Sequence, residues 1–163
     1  MDADLIALSE SIGAACCQRR LLLVTAESCT GGWTSQVITH TAGSSGWFDR
    51  GFVTYSNEAK VAILGVRPET LEHFGAVSLE TAAEMAAGAL QNSSAMISLA
   101  ITGIAGPTGG SPGKPVGTVC FAWCRIGAAA TAETMVFAGD REAIRRQAVV
   151  YALRGLLVRL DAA

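Results

Sequence analysis

Hydrophobic positions recur along the chain in two alternating patterns, which predict helices separated by buried strands. Leu5, Leu8, Ile12 and Ala15 fall at intervals of three and four residues, and this spacing predicts one buried helix face over residues 4–18. The run LLLVTA that follows predicts a strand buried on both faces. The paired glycines of TAESCTGG then end that strand.

The same alternation continues to the end of the chain. Strands are predicted over residues 51–55, in AMISLAIT, and in VGTVCFAWCRI and TAETMVFA, the last two as a hairpin. Further helices are predicted to begin near Thr30, at Ser56 or Asn57, at Ser78 and at Asp140, the last running through Leu160. Five glycines and three prolines between residues 103 and 115 predict a loop without regular structure.

Strands alternating with helices favour an α/β fold, as a three-layer α/β/α sandwich around a mixed β-sheet. The chain has 163 residues, half of them hydrophobic, and contains no repeat or linker. A single domain over residues 1–163 is therefore expected.

Charge and cysteine content narrow the classes of function. The net charge is −2 with no basic run, so neither a nucleic-acid partner nor an anionic membrane surface is expected. No apolar segment approaches the roughly 20 residues that span a bilayer, and we expect a cytoplasmic protein. The chain has five cysteines, two histidines and no Cys-x-x-Cys, so neither a disulfide framework nor a metal site is expected. Cys120 and Cys124 are predicted to be thiols of the core. The apolar composition is compatible with a homo-oligomer.

Ligands of layered α/β proteins bind where the carboxyl ends of strands meet. Four segments are candidates by that rule: residues 27–32, 55–60, 102–114 and 139–146. The first contains three adjacent nucleophiles at a strand-to-helix bend, Ser28, Cys29 and Thr30. Such a bend can hold a nucleophile with an oxyanion hole, or it can cradle a phosphate, or only connect two elements.

Each candidate side chain has a functional and a structural interpretation. Cys29 needs a cationic partner to form a thiolate, and neither histidine lies in these segments. Ser28 needs a base, and Lys60 in the first turn of a helix could supply a neutral amine or remain a solvated surface charge. Tyr55 could bring a phenol to the same edge or be half-buried packing.

Cations elsewhere in the four segments are candidates for anion binding. Lys114 lies in the long loop and could contact an anion, although solvent exposure is the default for such a lysine. Arg141, Arg145 and Arg146 start the last helix, where the first two share a face. Arginine suits bidentate phosphate binding, and the alternative is an exposed charged face.

Seven ordered segments resemble the CinA C-terminal domain family over nearly the whole chain. They are AESCTGGWTSQVIT, AGSSGWFDRGFVTYSNEAK, LGV, GAVSLETAAEMA, TGIAGPTGG, KPVGTV and GDREAIRRQA. The characterised activity of that family is deamidation of nicotinamide mononucleotide. The resemblance therefore implies an amidohydrolase that forms nicotinate mononucleotide and ammonia in pyridine nucleotide salvage, without a metal or cofactor.

The resemblance also implies roles for individual residues. Ser28 matches the nucleophile, Lys60 the general base and Tyr55 its assistant. Substrate-binding positions are then expected at Cys29, Thr30 and Gly31 for the oxyanion, and, by residue type, at Ser44, Ser45, Thr102, Gly103, Gly106 and Arg145 for the phosphate.

Some relatives carry serine where this chain has Thr102, which keeps the hydroxyl. Two-domain relatives carry an additional N-terminal domain linked to pyrophosphatase chemistry, and we expect no such activity here. A catalytically inactive nucleotide-binding module and an amidase for another small amide remain alternatives.

Overall fold

The computed structural model describes residues 1–162, which form five strands and six helices. The strands are β1 (Leu23–Glu27), β2 (Phe48–Val53), β3 (Ile97–Gly103), β4 (Thr118–Arg125) and β5 (Thr131–Val136). The helices are α1 (Ala3–Arg19), α2 (Trp33–His40), α3 (Asn57–Leu64), α4 (Pro68–Phe74), α5 (Leu79–Gln91) and α6 (Arg141–Asp161). Residue 163, the predicted end of the domain, lies outside the described residues.

The five strands form one mixed sheet in the order β2-β1-β3-β4-β5. Strands β2, β1 and β3 are parallel, and β4 and β5 complete the sheet as an antiparallel hairpin. All five residues of β1 are buried, because β1 has a strand on each side and helices on both faces. The predicted mixed sheet and hairpin are confirmed.

Alternate residues of the strands divide the core into two layers. Leu23, Leu99 and Phe121 belong to the cluster that packs with α1, α2 and α6. Val24 and Ala100 belong to the cluster that packs with α3, α4 and α5 on the opposite face. The fold is therefore the three-layer α/β/α sandwich that the sequence predicts.

Three elements differ from the sequence prediction. Helix α4 was not predicted, although Pro68 at its first position with Glu69 in its first turn is a helix-start signal. Strand β2 begins at Phe48 rather than residue 51, because the Trp47 carbonyl already accepts the Leu23 amide at 2.8 Å. Helix α2 begins at Trp33, so a four-residue turn separates it from Ser28.

Two further properties of residues 1–162 bear on function. No helix in this range is long and apolar enough to cross a membrane. The same residues contain no group of three or more His, Cys, Asp or Glu side chains that could hold a metal ion.

Helix α5 packs so closely on the end of α3 that position 88 admits only glycine. A Cβ at Gly88 would overlap the carbonyl oxygen of Leu64. Alanine is the better helix former by about 1 kcal/mol, but steric overlap with a backbone atom costs about 3 kcal/mol. We therefore expect Gly88→Ala to lower the free energy of unfolding by about 2 kcal/mol and Tm by roughly 5 °C.

The control for this substitution is Gly46→Ala, because a Cβ at that exposed position meets nothing within 4 Å. Its free energy of unfolding should stay within about 0.5 kcal/mol of wild type. Equal stability of the two variants in chemical denaturation would contradict the packing described here.

Candidate active site

The carboxyl ends of β1, β2 and β3 open at one edge of the sheet, together with the start of α6. Strand β1 has β2 on one side and β3 on the other. The loops that follow neighbouring strands therefore run apart at this point of the sheet, and a crevice opens between them above β1. All four segments singled out in the sequence lie at this edge. Ser28, the first residue after β1, lies at the crevice.

Ser28 is fixed by its backbone and directed by the alternation of the strand. Its amide donates a hydrogen bond of 2.9 Å to the Ile101 carbonyl. Val24 and Ala26, four and two residues earlier, contact the layer of α3, α4 and α5. The Ser28 side chain points the same way and meets Lys60 of α3, whose Nζ lies 3.0 Å from the Ser28 Oγ.

Lys60 is a buried amine with three polar contacts. Its side chain is 1% exposed, and Nζ lies 3.0 Å from the Thr54 carbonyl and 3.4 Å from the Tyr55 carbonyl. A neutral amine has two N–H donors and one lone pair, which match two carbonyl acceptors and the Ser28 hydroxyl. Burial lowers the pKa of Lys60 from its ordinary value of 10.5, while Cys29 opposes that shift. Lys60 is therefore suited to accept the Ser28 proton.

Cys29 lies beside Ser28 but is a poor nucleophile. Burial, reinforced by the charge of Glu27, raises the pKa of the Cys29 thiol to about 12. Arg145 and Lys60 act in the opposite direction with smaller effect. Since the thiolate is the reactive form, Cys29 stays protonated and inert at neutral pH.

The turn after Ser28 presents two backbone donors. Within the described residues, no acceptor pairs with the amides of Cys29 or Thr30. The Gly31 amide, which the sequence analysis grouped with them, donates to the Ser28 carbonyl at 3.0 Å and is not free. Gly31 therefore closes the turn, and Cys29 and Thr30 are the two candidates for an oxyanion hole.

Arg145 binds two backbone carbonyls of this turn. Its Nε donates to the Cys29 carbonyl and its Nη2 to the Thr30 carbonyl, both at 3.0 Å, and its guanidinium lies 5.3 Å from the centre of the Trp33 ring. In a trans peptide the N–H points away from the C=O of the same unit. Binding of the Cys29 carbonyl by Arg145 thus turns the Thr30 amide to the other side. The prediction that Arg145 holds phosphate is incomplete, because two of its donors bind backbone.

Tyr55 and Arg141 form a second pair at the same edge. Arg141 donates from Nη2 to the Tyr55 hydroxyl at 3.0 Å and from Nη1 to the Gly106 carbonyl at 2.7 Å. The Tyr55 phenol makes no hydrogen bond to Ser28 or Lys60. It is the carbonyl of Tyr55 that contacts Lys60, and the phenol is bound by Arg141 instead.

These groups surround an inner cavity of about 230 Å³. It is lined by Ser28, Cys29, Tyr55, Asn57, Lys60, Ala76, Val77, Thr102, Gly103, Ala105 and Arg141. An outer cleft of about 640 Å³ adjoins it and is lined by Gly31, Gly32, Trp33, Gln36, Arg141, Glu142 and Arg145. Arg141 lines both spaces and marks their junction. In the sequence, Arg141 is one of three arginines at the start of the last helix, and only the fold reveals its contacts.

The remaining predicted binding residues divide into two groups. Thr102 and Gly103 line the inner cavity, but the Thr102 hydroxyl already donates to the Ala76 carbonyl at 2.8 Å. Gly106 reaches the site only through its carbonyl bond to Arg141. Ser44 and Ser45 precede β2, at the end of the sheet opposite the carboxyl end of β1, so the structure does not bring them to the inner cavity of the same chain.

Comparison with known proteins gives a consistent assignment. The model of the CinA C-terminal domain family matches residues 5–160. The chain belongs to this family. It is 54% identical over 155 residues to the Escherichia coli K12 protein named nicotinamide-nucleotide amidohydrolase PncC, covering 95% of this chain and 94% of that protein.

Other relatives agree with that result. A Pseudomonas putida protein of the same name is 51% identical, covering 83% of this chain and 84% of that protein. The crystal structure of the competence/damage inducible protein CihA from Agrobacterium tumefaciens superimposes with a TM-score of 0.94 at 44% identity, covering 99% of this chain and 98% of that chain.

The lowered pKa of Lys60 gives a measurable dependence of stability on pH. Between the folded pKa and the unfolded value near 10.5, the unfolded chain binds more protons, so the free energy of unfolding rises with pH in that window. Methionine has no proton to bind. We therefore expect the free energy of unfolding of wild type relative to Lys60→Met to increase as pH rises toward about 10.5. The measurement is the free energy of unfolding of both proteins, from denaturant titrations at several pH values. A difference between them that stays constant or falls with rising pH would contradict a lowered pKa of Lys60.

Proposed function

We propose that this protein hydrolyses the carboxamide of nicotinamide mononucleotide, releasing nicotinate mononucleotide and ammonia by a Ser/Lys mechanism. The observation that carries the proposal is the 3.0 Å contact between the Ser28 Oγ and the buried Lys60 Nζ, beside two unpaired backbone amides. The high identity to proteins named as amidohydrolases for this substrate supports it.

In the first step, the Ser28 Oγ attacks the carboxamide carbon while its proton passes to Lys60. The carbonyl oxygen becomes an oxyanion that accepts hydrogen bonds from the Cys29 and Thr30 amides, an effect worth about 3 kcal/mol per donor. Lys60 then returns the proton to the nitrogen as the C–N bond breaks. Ammonia leaves, and the nicotinoyl group remains on Ser28 as an ester.

In the second step, water attacks the ester carbon and gives one proton to Lys60. The same two amides stabilise the second oxyanion, and the C–O bond to Ser28 breaks as the serine recovers its proton from Lys60. The free carboxylate is the product. One base thus serves both halves of the reaction, because each half returns Lys60 to its neutral form.

The charges around the inner cavity indicate which way the phosphate points. At the Arg141 junction the outer cleft contains a second arginine, Arg145, and one carboxylate, Glu142. On the other side, a groove between α3 and α4 carries Glu58 and Glu72. A phosphate is repelled from the acidic groove and attracted to the arginines, so the substrate phosphate extends into the outer cleft.

The decisive test of the nucleophile compares Ser28→Ala with Cys29→Ala in an assay of ammonia release from nicotinamide mononucleotide. Loss of Ser28 removes the group that forms the ester, and we expect kcat to fall by at least about 10³-fold. Cys29→Ala keeps the backbone amide and should retain kcat within about fivefold.

Wild type that binds the nucleotide but releases no ammonia would instead identify a non-catalytic binding module. Activity retained by Ser28→Ala and lost by Cys29→Ala would overturn the serine mechanism. Release from nicotinamide alone, as fast as from the nucleotide, would favour a general amidase.

The orientation of the phosphate is tested by Arg141→Gln. A charged hydrogen bond to phosphate contributes roughly 1.5–3 kcal/mol, so KM for the mononucleotide should rise about 10- to 100-fold. Nicotinamide riboside lacks the phosphate, and its kcat/KM should change less than about fivefold. Arg154→Gln is the control, since this exposed arginine on the same helix lines neither cavity. If Arg141→Gln lowered kcat/KM equally for the mononucleotide and the riboside, the proposed orientation of the phosphate would be contradicted.

A further inference from the structure

The residue before the nucleophile carries a buried carboxylate that the proposed mechanism does not use. Glu27 is 1% exposed, and its side chain points to the face of the sheet opposite Ser28. Its Oε2 accepts the Thr34 amide at 3.0 Å, and its Oε1 accepts both the amide and the hydroxyl of Ser35 at 2.9 Å. The carboxylate thus has three donors, all from the first turn of α2.

The surrounding residues form a built pocket for this carboxylate. The Ser35 hydroxyl donates to Glu27, so the Thr25 hydroxyl 2.8 Å away donates to Ser35 in turn. Gly51 of β2 leaves the room for both hydroxyls, because a Cβ there would overlap the Ser35 Oγ. A buried carboxylate is tolerated only with such a full set of partners.

The location of this cap differs from that of an ordinary helix cap. Caps normally come from the residue that adjoins the helix, whereas Gly32 precedes α2 and supplies no side-chain cap. The cap comes instead from the end of β1, five residues upstream of Gly32. Both ends of the turn from Ser28 to Gly32 are therefore attached to one residue, by the peptide bond to Ser28 and by the side-chain bonds to α2.

The backbone of Glu27 also connects to Lys60, through hydrogen bonds of Thr54. Its carbonyl accepts the Thr54 amide at 2.9 Å, and the Thr54 carbonyl accepts a hydrogen bond from Lys60 at 3.0 Å. The nucleophile, the two free amides and the carbonyl that holds the base are all connected through Glu27.

We propose that Glu27 is a positioning residue, which fixes the free amides of Cys29 and Thr30 relative to the Ser28 Oγ through its side-chain bonds to α2. This inference rests on the proposed role of Ser28 as nucleophile. A residue that only stabilised α2 would change the free energy of unfolding and leave the reactivity of the folded protein unaltered.

The test substitution is Glu27→Gln in the full chain. Glutamine keeps the size of the side chain, but one oxygen becomes an NH₂ group that faces a backbone N–H, either Thr34 or Ser35. These two donors repel, and the start of α2 and the turn must shift. A misplacement of about 1 Å can cost about 100-fold in rate, so we expect kcat for nicotinamide mononucleotide to fall about 10- to 100-fold with KM within about threefold.

A second readout does not depend on the substrate. A fluorophosphonate reagent forms a bond from phosphorus to the Ser28 Oγ, loses fluoride and leaves the serine proton on Lys60. Its labelling rate at Ser28 should fall by about tenfold or more in Glu27→Gln. Wild type that is labelled but does not deamidate the nucleotide would reject the proposed substrate and leave the Glu27 test intact.

The chain offers a matched control in Glu84→Gln. Glu84 also accepts a backbone amide, that of Arg67 at 2.8 Å, and a hydroxyl, that of Thr70 at 2.7 Å. None of these three residues lines the inner cavity. Glu84 also accepts Nε and Nη2 of the Arg67 guanidinium at 2.9 and 2.7 Å, so Glu84→Gln places an NH₂ group against a donor of Arg67 elsewhere in the fold. It should leave kcat and the labelling rate within about twofold of wild type.

Folded Glu27→Gln that is labelled at the wild-type rate would overturn the proposal. A labelling rate that falls as much in Glu84→Gln as in Glu27→Gln would also overturn it. Wild type that resists labelling at Ser28 would overturn it together with the nucleophile. If Glu27→Gln fails to fold, Ser35→Ala removes one of the three donors and keeps both amide bonds. A labelling rate about threefold below wild type then supports the proposal, and an unchanged rate overturns it.

Discussion

The burial of the Lys60 amine is the constraint on which the arrangement of the site depends. An amine that is 1% exposed must have its polar atoms paired, and the fold supplies two carbonyls from the end of β2 and one hydroxyl from the end of β1. Those three groups come together only because β1 and β2 are adjacent and parallel and α3 crosses back over their ends. The sheet order therefore places Lys60 and Ser28 in contact.

A second constraint is that the carbonyls of Ser28, Cys29 and Thr30 are all bound while two amides of the same turn stay free. The Ser28 carbonyl accepts the Gly31 amide, and Arg145 binds the next two carbonyls. Because the N–H of a trans peptide unit points away from its C=O, the N–H groups of Cys29 and Thr30 are directed away from the partners of the Ser28 and Cys29 carbonyls. The cost of two unpaired amides is offset by the rigidity of the turn, which prepares the donors before an oxyanion forms.

The sequence was sufficient to predict the layers of the fold, because buried strands such as AMISLAIT and capped helices such as that after Ser78 carry local signals. It also brought Ser28 and Lys60 forward as candidates, since both follow strand ends. It favoured Arg145 over Arg141 for the phosphate, although the two share a helix face: only the fold shows that Arg145 binds backbone and Arg141 reaches the inner cavity. The sequence likewise could not show that Ser44 and Ser45 lie at the other edge of the sheet, because residue type does not reveal which edge a loop occupies.

The same burial explains why a site with serine and cysteine side by side should use the serine. Removal from water favours the neutral form of every group, so it lowers the pKa of the Lys60 amine and raises that of the Cys29 thiol. The first effect makes the neutral amine easier to form, and the second removes the thiolate that would compete. A serine gains from this environment because it reacts only when a neighbouring base takes its proton, whereas a cysteine loses the ionised form on which its reactivity depends. Glu27 strengthens that choice, since its charge adds to the effect of burial on Cys29 while its side-chain bonds hold the turn.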